Sequence, residues 1–352
     1  MNRLARRSLA AALALALAVF AAACGDSGGE EEKSAPKKKA EPGVPTAPLT
    51  GLPDPDGVAR SRPALFVKID NADFEDARPQ SGLEMADVVY EEEVEFGITR
   101  FNAVFNSRVP EPIGPIRSVR AMDSEIVWPL GGIFVFSGGT EDNVNLVRSA
   151  PVTIVDENNA GDAFFRSDEK VAPHNLYGHG DLLEAFGGQP VPPPDLFPYL
   201  DDDKVFNGDE DVSAFTVGFK FEDDAHYAPT YTWDEVAGTW KRDIGGVPFV
   251  MDNGIQIAPT NVIVQFTVYQ GSGGEGTIVG DGDAWVFTDG QVKRGRWVRP
   301  VREQVTEFVD ATGKKIRLEP GPTWVEYLPV DSPVTIVPPA PTAPSAPPPP
   351  TP

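Results

Sequence analysis

Apolar and polar residues follow strand-like patterns through the first half of the chain. Residues 63–71, PALFVKIDN, form an apolar run that ends in Asp70 and Asn71. Such a run predicts a buried strand with polar groups at its carboxyl end. Residues 86–107 alternate on either side of Gly97, and this alternation predicts two strands joined as a hairpin.

One face of this predicted hairpin carries an acidic row, which we call the glutamate row: Glu91, Glu93 and Glu95. Thr99 and Arg100 lie on the return strand. If the face is covered, the row needs cationic partners, because a buried carboxylate without a partner is very costly.

Short helical segments follow the hairpin. Helices are expected within MDSEIVWPL (122–130), within TEDNVNLVRS (140–149), where Thr140 is the cap, and within GDLLEAFGG (180–188), which Asp181 begins. Further apolar strands are predicted at residues 132–139 and 152–157. The first half therefore has an α+β pattern.

Beyond residue 212 nearly every segment predicts a strand. Hairpins are expected at residues 230–243 and 283–300, a core strand at 261–270, and more strands at 306–329. The fold class predicted for the whole chain is α+β. A mixed α/β N-terminal domain is followed by a mostly antiparallel β domain, and both termini are disordered.

The first residues have the layout of a secretion signal. Three arginines precede an apolar run over residues 9–23, and the run ends at Cys24, the only cysteine. The run is too short for a spanning helix of about 20 residues. We interpret it as a bacterial lipoprotein signal in which Cys24 is lipidated, so the membrane is an expected partner and the extracytoplasmic face of the cell membrane the expected location. An ordinary signal with an incidental cysteine is the alternative.

Composition shifts define the predicted domain organisation. Proline, glycine and charged residues dominate the segments outside the two folded halves, which is typical of tethers and linkers. We predict a signal peptide (1–23), a lipidated cysteine and disordered tether (24–60), an α+β domain (61–200), an acidic linker (201–212), a β domain (213–337) and a proline-rich tail (338–352).

Charge and rare residues exclude several functions. The 352 residues carry a formal net charge of −23, so we expect no nucleic-acid partner. The G-x-G-x-x-G match at residues 271–276 leads into a strand rather than a helix, so it predicts no dinucleotide site. With three histidines and one cysteine, we expect no cofactor and no zinc, although a carboxylate-rich calcium or manganese site stays open.

Several segments in the same order resemble one family. PALFVKIDN, ARPQSGLEMADVVYEEEVEFGITRF, IGPIRSVR and APHNLY in the first half are similar to segments of the YerB-like bacterial lipoproteins. So are NGIQIAPTNVIVQFTVY, GDAWVFTDGQVKRGRW and IRLEPGPTWVEYLP in the second half. The resemblance covers the whole body and implies a two-domain exported lipoprotein, but it implies no reaction.

The arginines of IGPIRSVR raise the main functional question. Arg117 and Arg120 follow a Gly-Pro turn in an acidic chain, and arginine suits bidentate recognition of carboxylate or phosphate. They either neutralise the glutamate row or line a pocket for an anionic ligand. Of the two, we expect Arg117 to be structural and Arg120 to be accessible to a ligand. The full set of candidate ligand-binding residues is Asp70, Asn71, Arg78, Gln80, Ser81, Arg100, Arg117, Arg120, Gly138, Gly139, His174, Asn175 and Tyr177.

Three functional hypotheses follow. The first is a membrane-anchored envelope protein that binds a polar or anionic wall- or glycan-derived ligand in its N-terminal domain. The second is a hydrolase in which Glu91 or Glu95 acts with His174 as an acid–base pair, with Glu93 as a further candidate. The third is a scaffold that grips another envelope protein through tryptophans of the β domain, although these residues are expected to fill its core.

Overall fold

The computed structural model describes residues 43–72, 77–95, 98–187, 191–219, 227–270 and 274–341. All of these belong to one compact unit, which spans Lys37–Pro352. Strands dominate, with few and short helices, and the sheets are mixed. The predicted signal peptide, Cys24 and most of the proline-rich tail lie outside the described residues.

Residues 43–60 were predicted to belong to a disordered tether, but in the structure they contact the folded unit. Leu49 is completely buried, and its carbonyl accepts a hydrogen bond of 2.5 Å from the Tyr199 hydroxyl. The Thr50 carbonyl accepts from the Gly321 amide. Low apolar content suggested a tether, but one leucine and a few backbone hydrogen bonds suffice to hold this segment against a preformed surface.

The first half of the chain contributes five strands to the large sheet. They are β1 (Leu65–Asp70), β2 (Val88–Glu93), β3 (Thr99–Phe105), β4 (Gly132–Val135) and β5 (Val152–Val155). Their order is β2-β3-β1-β4-β5. The β2–β3 pair is antiparallel, as the alternation predicted, and β1–β4 and β4–β5 are parallel. The hairpin turn at residues 96–97 lies outside the described residues.

Three helices and a small hairpin complete this half. They are α1 (Asp123–Val127), α2 (Glu141–Arg148), β6 (Phe164–Arg166), β7 (Leu176–Gly178) and α3 (Gly180–Glu184). The Thr140 hydroxyl accepts from the Asn143 amide, so the predicted cap of α2 is confirmed. The third helix starts at Gly180 rather than at Asp181, and a 3-10 turn continues it to Gly187.

The second half supplies the remaining strands. They are β8 (Glu210–Asp211), β9 (Ala214–Val217), β10 (Pro229–Asp234), β11 (Thr239–Ile244), β12 (Val247–Pro248), β13 (Asn261–Tyr269), β14 (Gly276–Thr277), β15 (Gly280–Thr288), β16 (Gln291–Arg299), β17 (Glu307–Val309), β18 (Thr323–Pro329) and β19 (Val334–Val337). Both predicted hairpins are present, as β10–β11 and β15–β16. Asp289 and Gly290, both with positive φ, turn the second one.

One sheet runs through both halves of the chain. Strand β18 lies parallel to β2, with Thr323 opposite Val88, and this pairing joins the halves into a twelve-stranded sheet with the main order β17-β16-β15-β13-β18-β2-β3-β1-β4-β5. The acidic segment 201–212, predicted as a linker, contributes β8, which pairs with β16. A boundary in composition is therefore not a boundary in this sheet.

A second sheet, with the order β12-β11-β10-β9-β19, packs on one face of the large sheet. Phe215 of β9 stacks on Phe287 of β15 at 3.6 Å between ring centroids, and Trp240 packs in the same core. On the opposite face, Phe66 and Val104 pack with Met122 and Ile126 at helix α1. Each strand of the β2–β3 hairpin therefore has two covered faces.

The tryptophans of the second half mainly fill the core, as expected. Trp240, Trp297 and Trp324 are buried, and Trp233 and Trp285 are partly buried and packed against the core. Within the described ranges no helix is both long and apolar enough to cross a membrane.

Candidate functional site

The three members of the glutamate row have three different environments. Glu91 is completely buried and pairs with Arg242 of β11, 2.7 Å away. Glu95 pairs with Arg120 at 2.6 Å and is partly exposed. Glu93 lies between them, and its Oε2 has no hydrogen-bond partner among the described residues. Burial raises the pKa of Glu93 to about 7.

Glu91 belongs to a group that we call the interior network: Glu91, Arg242, Glu326, Tyr227 and Tyr231. Arg242 donates to Glu91 at 2.7 Å and to Glu326 of β18 at 2.9 Å, and all three side chains have zero exposure. Arg242 also donates to the Tyr227 hydroxyl at 2.6 Å. The network connects the second, five-stranded sheet, hereafter the small sheet, to the place in the large sheet where β2 pairs with β18, hereafter the seam.

Two carboxyl groups of the interior network, those of Glu91 and Glu326, share one guanidinium. Burial and the negative charge of Glu91 raise the pKa of Glu326 well above its ordinary value. Oε2 of Glu326 accepts no hydrogen bond within the described part of the chain. A proton on Glu326, directed to Glu91, accounts for both observations. The network is then neutral, with one guanidinium and one ionised carboxylate.

A second buried group lies on the opposite face of the hairpin. Lys68 of β1 contacts Glu92 and lies 2.7 Å from Asp123 of α1, and all three side chains have zero exposure. Asn102 donates to the same Asp123 oxygen at 3.0 Å. Burial and the charge of Asp123 raise the pKa of Glu92 to about 7. These contacts fix α1 and the residues before it on the sheet.

The polar end of β1 collects residues from distant segments. Oδ2 of the completely buried Asp70 lies 2.5 Å from Nδ1 of His174 and 2.9 Å from Nε of Arg117. Gln80 donates to the Asp70 carbonyl at 2.9 Å. The sequence predicted polar groups at the end of this strand. In the structure one of them, Asp70, contacts His174, which lies 104 positions further along the chain.

Arg100, Arg117 and Arg120, with Asp70 and Glu95, form what we call the arginine cluster. Arg100 of β3 lies directly opposite Asp70 of β1 and donates to the Ser118 carbonyl. Burial and the like charges of Arg120 and Arg117 lower its pKa to about 10, and Asp70 and Glu95 offset this only in part. Within the cluster itself three guanidiniums share two carboxylates, which is one cation more than anions, while Arg120 also acts on Glu92 and its amide donates to Asp123 of the neighbouring buried group.

The two arginines after the Gly-Pro turn, Arg117 and Arg120, make different contacts from those we expected. Arg120 is the more firmly held, since it donates to Glu95 through Nε and Nη2, at 2.8 and 2.6 Å, and to the Val119 carbonyl. Arg117 has the ionic contact with Asp70, but its Nε makes no hydrogen bond to the described residues and its side chain is 18% exposed. Arg120 was expected to be the accessible one, but in the structure it pairs with Glu95, where the glutamate row ends, and its side chain is slightly less exposed than that of Arg117.

Gly138 and Gly139 form an exposed loop between β4 and α2. The Gly138 carbonyl accepts from the Val119 amide, so the loop adjoins the backbone beside Arg120. Gly139 has φ +154°, and an added Cβ would lie 2.6 Å from Val119 Cγ1. The close approach of the two loops therefore requires glycine there.

The remaining candidates lie along an adjacent open cleft. Asn71, which follows Asp70, accepts from Arg78 at 2.9 Å, and Arg78 lines a cleft of about 650 Å³. Ser81, which donates to Asp252, and Tyr177 line it too. Burial and the charge of Asp252 raise the pKa of Tyr177 to about 12, so its hydroxyl stays protonated.

Asn175 lies beside this cleft in a structural role. Its side chain donates to the Ser167 carbonyl and accepts from Arg166, and both contacts lie within the β6–β7 hairpin. Among the described residues no group of three or more His, Cys, Asp or Glu side chains is arranged to hold a metal ion.

Sequence reasoning missed Arg242, Glu326, Lys68 and Asp252. For Arg242 a signal was present, because Trp240, Arg242 and Ile244 share one face of a strand by their spacing of two. A buried Trp240 therefore predicts a buried Arg242, which needs an acidic partner. The strand pairing that supplies Glu91 and Glu326 has no comparable local signal.

Comparisons with known proteins agree with this architecture. A family described as "Protein of unknown function (DUF3048)" matches in two parts, its N-terminal domain over residues 49–189 and its C-terminal domain over residues 217–325. The chain is 29% identical over 306 residues to a Bacillus subtilis (strain 168) protein named "Putative lipoprotein YerB", covering 80% of this chain and 86% of that one.

The fold is also found in a solved structure. The crystal structure of the YerB protein from Bacillus subtilis superposes with a TM-score of 0.71 at 26% identity, covering 82% of this chain and 99% of that one. The resemblance drawn from the sequence motifs is confirmed. The chain belongs to the YerB-like family of proteins of unknown function (DUF3048).

Proposed function

We propose that this protein is an exported lipoprotein of the bacterial cell envelope that binds an anionic wall- or glycan-derived ligand at the arginine cluster. Cys24 would carry the lipid and hold the folded unit at the extracytoplasmic face of the membrane. The lipoprotein part is supported by the signal-like N-terminus and by the name of the Bacillus subtilis relative. The binding part is supported by the charge of the cluster.

The excess positive charge of the arginine cluster carries the proposal. Three guanidiniums lie near two carboxylates, and burial together with the like charges of Arg120 and Arg117 lowers the pKa of Arg100 to about 10. Nε of Arg100 is a buried donor without a hydrogen-bond partner in the described structure, and Nε of Arg117, although 2.9 Å from Asp70 Oδ2, makes no hydrogen bond there. Their donors and net charge suit a phosphate or carboxylate, which would relieve the repulsion. The 18% exposure of the Arg117 side chain gives such an anion a way in.

The test is binding of defined anions by calorimetry. The chain from residue 25 onward, which retains the whole compact unit, is titrated with glycerol phosphate oligomers, N-acetylglucosamine 1-phosphate and muramyl peptides. We expect at least one of these to bind, and Arg117→Gln to weaken that binding by about tenfold or more, since a charge-assisted hydrogen bond contributes ~1.5–3 kcal/mol.

Arg317→Gln is the matched control. Arg317 is an exposed arginine in the second half of the chain, and its partner is Asp201. It should bind as wild type does. If no probe binds wild type, or if Arg117→Gln and Arg317→Gln bind equally well, the arginine cluster is not a ligand site.

The hydrolase alternative is favoured by one observation, the His174–Asp70 pair at 2.5 Å. Two of the three glutamates it would use are engaged elsewhere, Glu91 with Arg242 and Glu95 with Arg120. His174 is 4% exposed, so a substrate atom has little access to it. The scaffold alternative has less support, because the tryptophans it would use are largely packed in the core. Anion binding is therefore the function that the geometry favours.

A further inference from the structure

A small cavity, lined by none of the residues of the arginine cluster, lies at the seam between the two halves of the chain. Its volume is about 20 Å³, enough for one particle about the size of a water molecule. Tyr90 of β2 and Tyr327 of β18 line it, stacked at 5.7 Å between ring centroids. Gln265 of β13 and Arg299 of β16 line it as well, and the remaining lining is largely apolar.

The polar groups around this cavity include buried donors without an acceptor. Arg299 is 2% exposed and Gln265 is 1% exposed. Nε of Arg299 and Nε2 of Gln265 have no hydrogen-bond partner in the described structure. The Tyr90 and Tyr327 hydroxyls lie within electrostatic reach of Arg299 and stay protonated, since burial raises the pKa of both tyrosines. Arg299 and Gln265 therefore bring buried donors without an acceptor to the lining, and each tyrosine hydroxyl can donate as well as accept.

Among the described residues, the guanidinium of Arg299 also has no carboxylate of its own. Its Nη2 donates to two backbone carbonyls, those of Glu125 and Arg302, at 2.7 and 2.6 Å. The nearby carboxylate of Glu125 is bound by the Arg302 side chain. The guanidiniums of Arg299 and Arg302 thus share the Glu125 carboxylate. Arg299, the more deeply buried of the two, lines the cavity. An unpaired buried charge is costly, whereas a counter-ion in the cavity would neutralise it.

We propose that this cavity binds a small monatomic anion of the halide class, with chloride as the physiological example. Arg299 supplies the charge and Gln265 and the two tyrosines supply further donors. A water molecule in the same place would leave the guanidinium unneutralised, and a polyatomic anion such as gluconate is too large for the volume.

The position of the cavity gives the anion a structural consequence. Tyr90 belongs to the first half of the chain, and Gln265, Arg299 and Tyr327 belong to the second. Leu196, Phe197 and Phe308 line both the cavity and an open cleft of about 850 Å³ above it. Four acidic side chains and Lys315 line that cleft, so the charge for an anion in the cavity comes from Arg299 and not from the cleft. An anion held in the cavity would link the two halves at the β2–β18 seam.

The experiment combines diffraction with thermal unfolding, on the chain from residue 25 onward. Crystals soaked in dilute sodium bromide are measured at the bromine absorption edge, and an anomalous peak inside the cavity is expected. In solution, replacing sodium gluconate by sodium bromide at constant ionic strength should raise Tm by about 3 °C or more at saturation, since a ligand that binds only the folded state stabilises it.

Two substitutions make the test specific. Gln265→Glu places a carboxylate beside Arg299, so we expect the bromide peak and the bromide effect on Tm to disappear without a loss of Tm in gluconate. Arg296→Gln is the control, because Arg296 is an exposed arginine on the same strand, paired with Asp281 and Asp283. It should keep both the peak and the effect.

The outcomes are distinguishable. A water molecule or empty density in the cavity at saturating bromide overturns the proposal, and so does a bromide effect on Tm that is the same in wild type and Gln265→Glu. If Gln265→Glu fails to fold, the diffraction measurement on wild type decides. None of these results bears on anion binding at the arginine cluster.

Discussion

The interior network and the arginine cluster lie on opposite faces of the β2–β3 hairpin, and they differ in how their charge is balanced. In the interior network one guanidinium meets two carboxyl groups, of which Glu326 has a raised pKa that favours its protonated form, and the side chains of Glu91, Arg242 and Glu326 have no exposure. In the arginine cluster three guanidiniums meet two carboxylates, and Arg117 and Glu95 are partly exposed.

The difference is the basis on which we propose a structural role for the interior network and a binding role for the arginine cluster. A balanced and closed network gains nothing from a further ion, whereas an unbalanced group with an opening to solvent gains from an added anion. The comparison also explains why the members of the glutamate row do not share one role. Its first member serves the interior network and its last member serves the arginine cluster.

The largest effect should come from breaking the interior network at its centre. Arg242→Met leaves Glu91 and Glu326 buried without a cation, so the free energy of unfolding should fall by about 3–5 kcal/mol. Urea unfolding of the chain from residue 25 onward measures it. Arg296→Gln removes an exposed arginine and should cost less than ~0.5 kcal/mol. A similar small loss for both variants would mean that the network does not hold the sheets together.

The next effect distinguishes the two carboxyl groups of that network. Glu91→Gln removes the counter-charge of Arg242 and should cost about 3 kcal/mol, whereas Glu326→Gln replaces a protonated acid by a group of the same shape and should cost less than ~1 kcal/mol. Unfolding at pH 7 compares the two variants directly. Equal losses would show that the proton is not localised on Glu326.

A smaller effect concerns the pH dependence contributed by Glu93. Its pKa is about 7 in the folded protein against an ordinary 4.5, so the folded state binds the proton more tightly. Stability from this group is present below pH 4.5 and is lost as the pH rises through about 7. Because Glu93 is partly exposed, we expect Glu93→Gln to gain only ~1 kcal/mol at pH 8 relative to pH 4.5, compared with wild type. Urea unfolding across that range measures the difference, and parallel curves for the two proteins would contradict it.

The smallest effect should come from the arginine cluster. Arg117→Gln relieves repulsion among three like charges, and His174 remains beside Asp70, so the free energy of unfolding should change by less than ~1 kcal/mol. The same urea titration measures this change. A loss above ~3 kcal/mol would move Arg117 to the structural side of the comparison, because Asp70 would then depend on it as Glu91 depends on Arg242.

The sequence by itself determined the local secondary-structure elements and the pairing of strands that are adjacent in the chain. Alternation located the β2–β3 hairpin and the glutamate row, the Asp-Gly pair located the β15–β16 turn, and Thr140 located the start of α2. These features depend on residues close in the chain, where period, turn chemistry and capping act directly.

Only the tertiary structure decided which charges meet. Arg242 and Glu91 are 151 positions apart, and His174 and Asp70 are 104 positions apart. The first contact exists because β18 pairs with β2 and the small sheet covers that seam. Strand order depends on how whole faces are buried, and many arrangements satisfy the same local patterns. The sequence therefore showed that charges must be paired within this fold, and the packing of the two sheets selected the partners and left the arginine cluster with charge to spare.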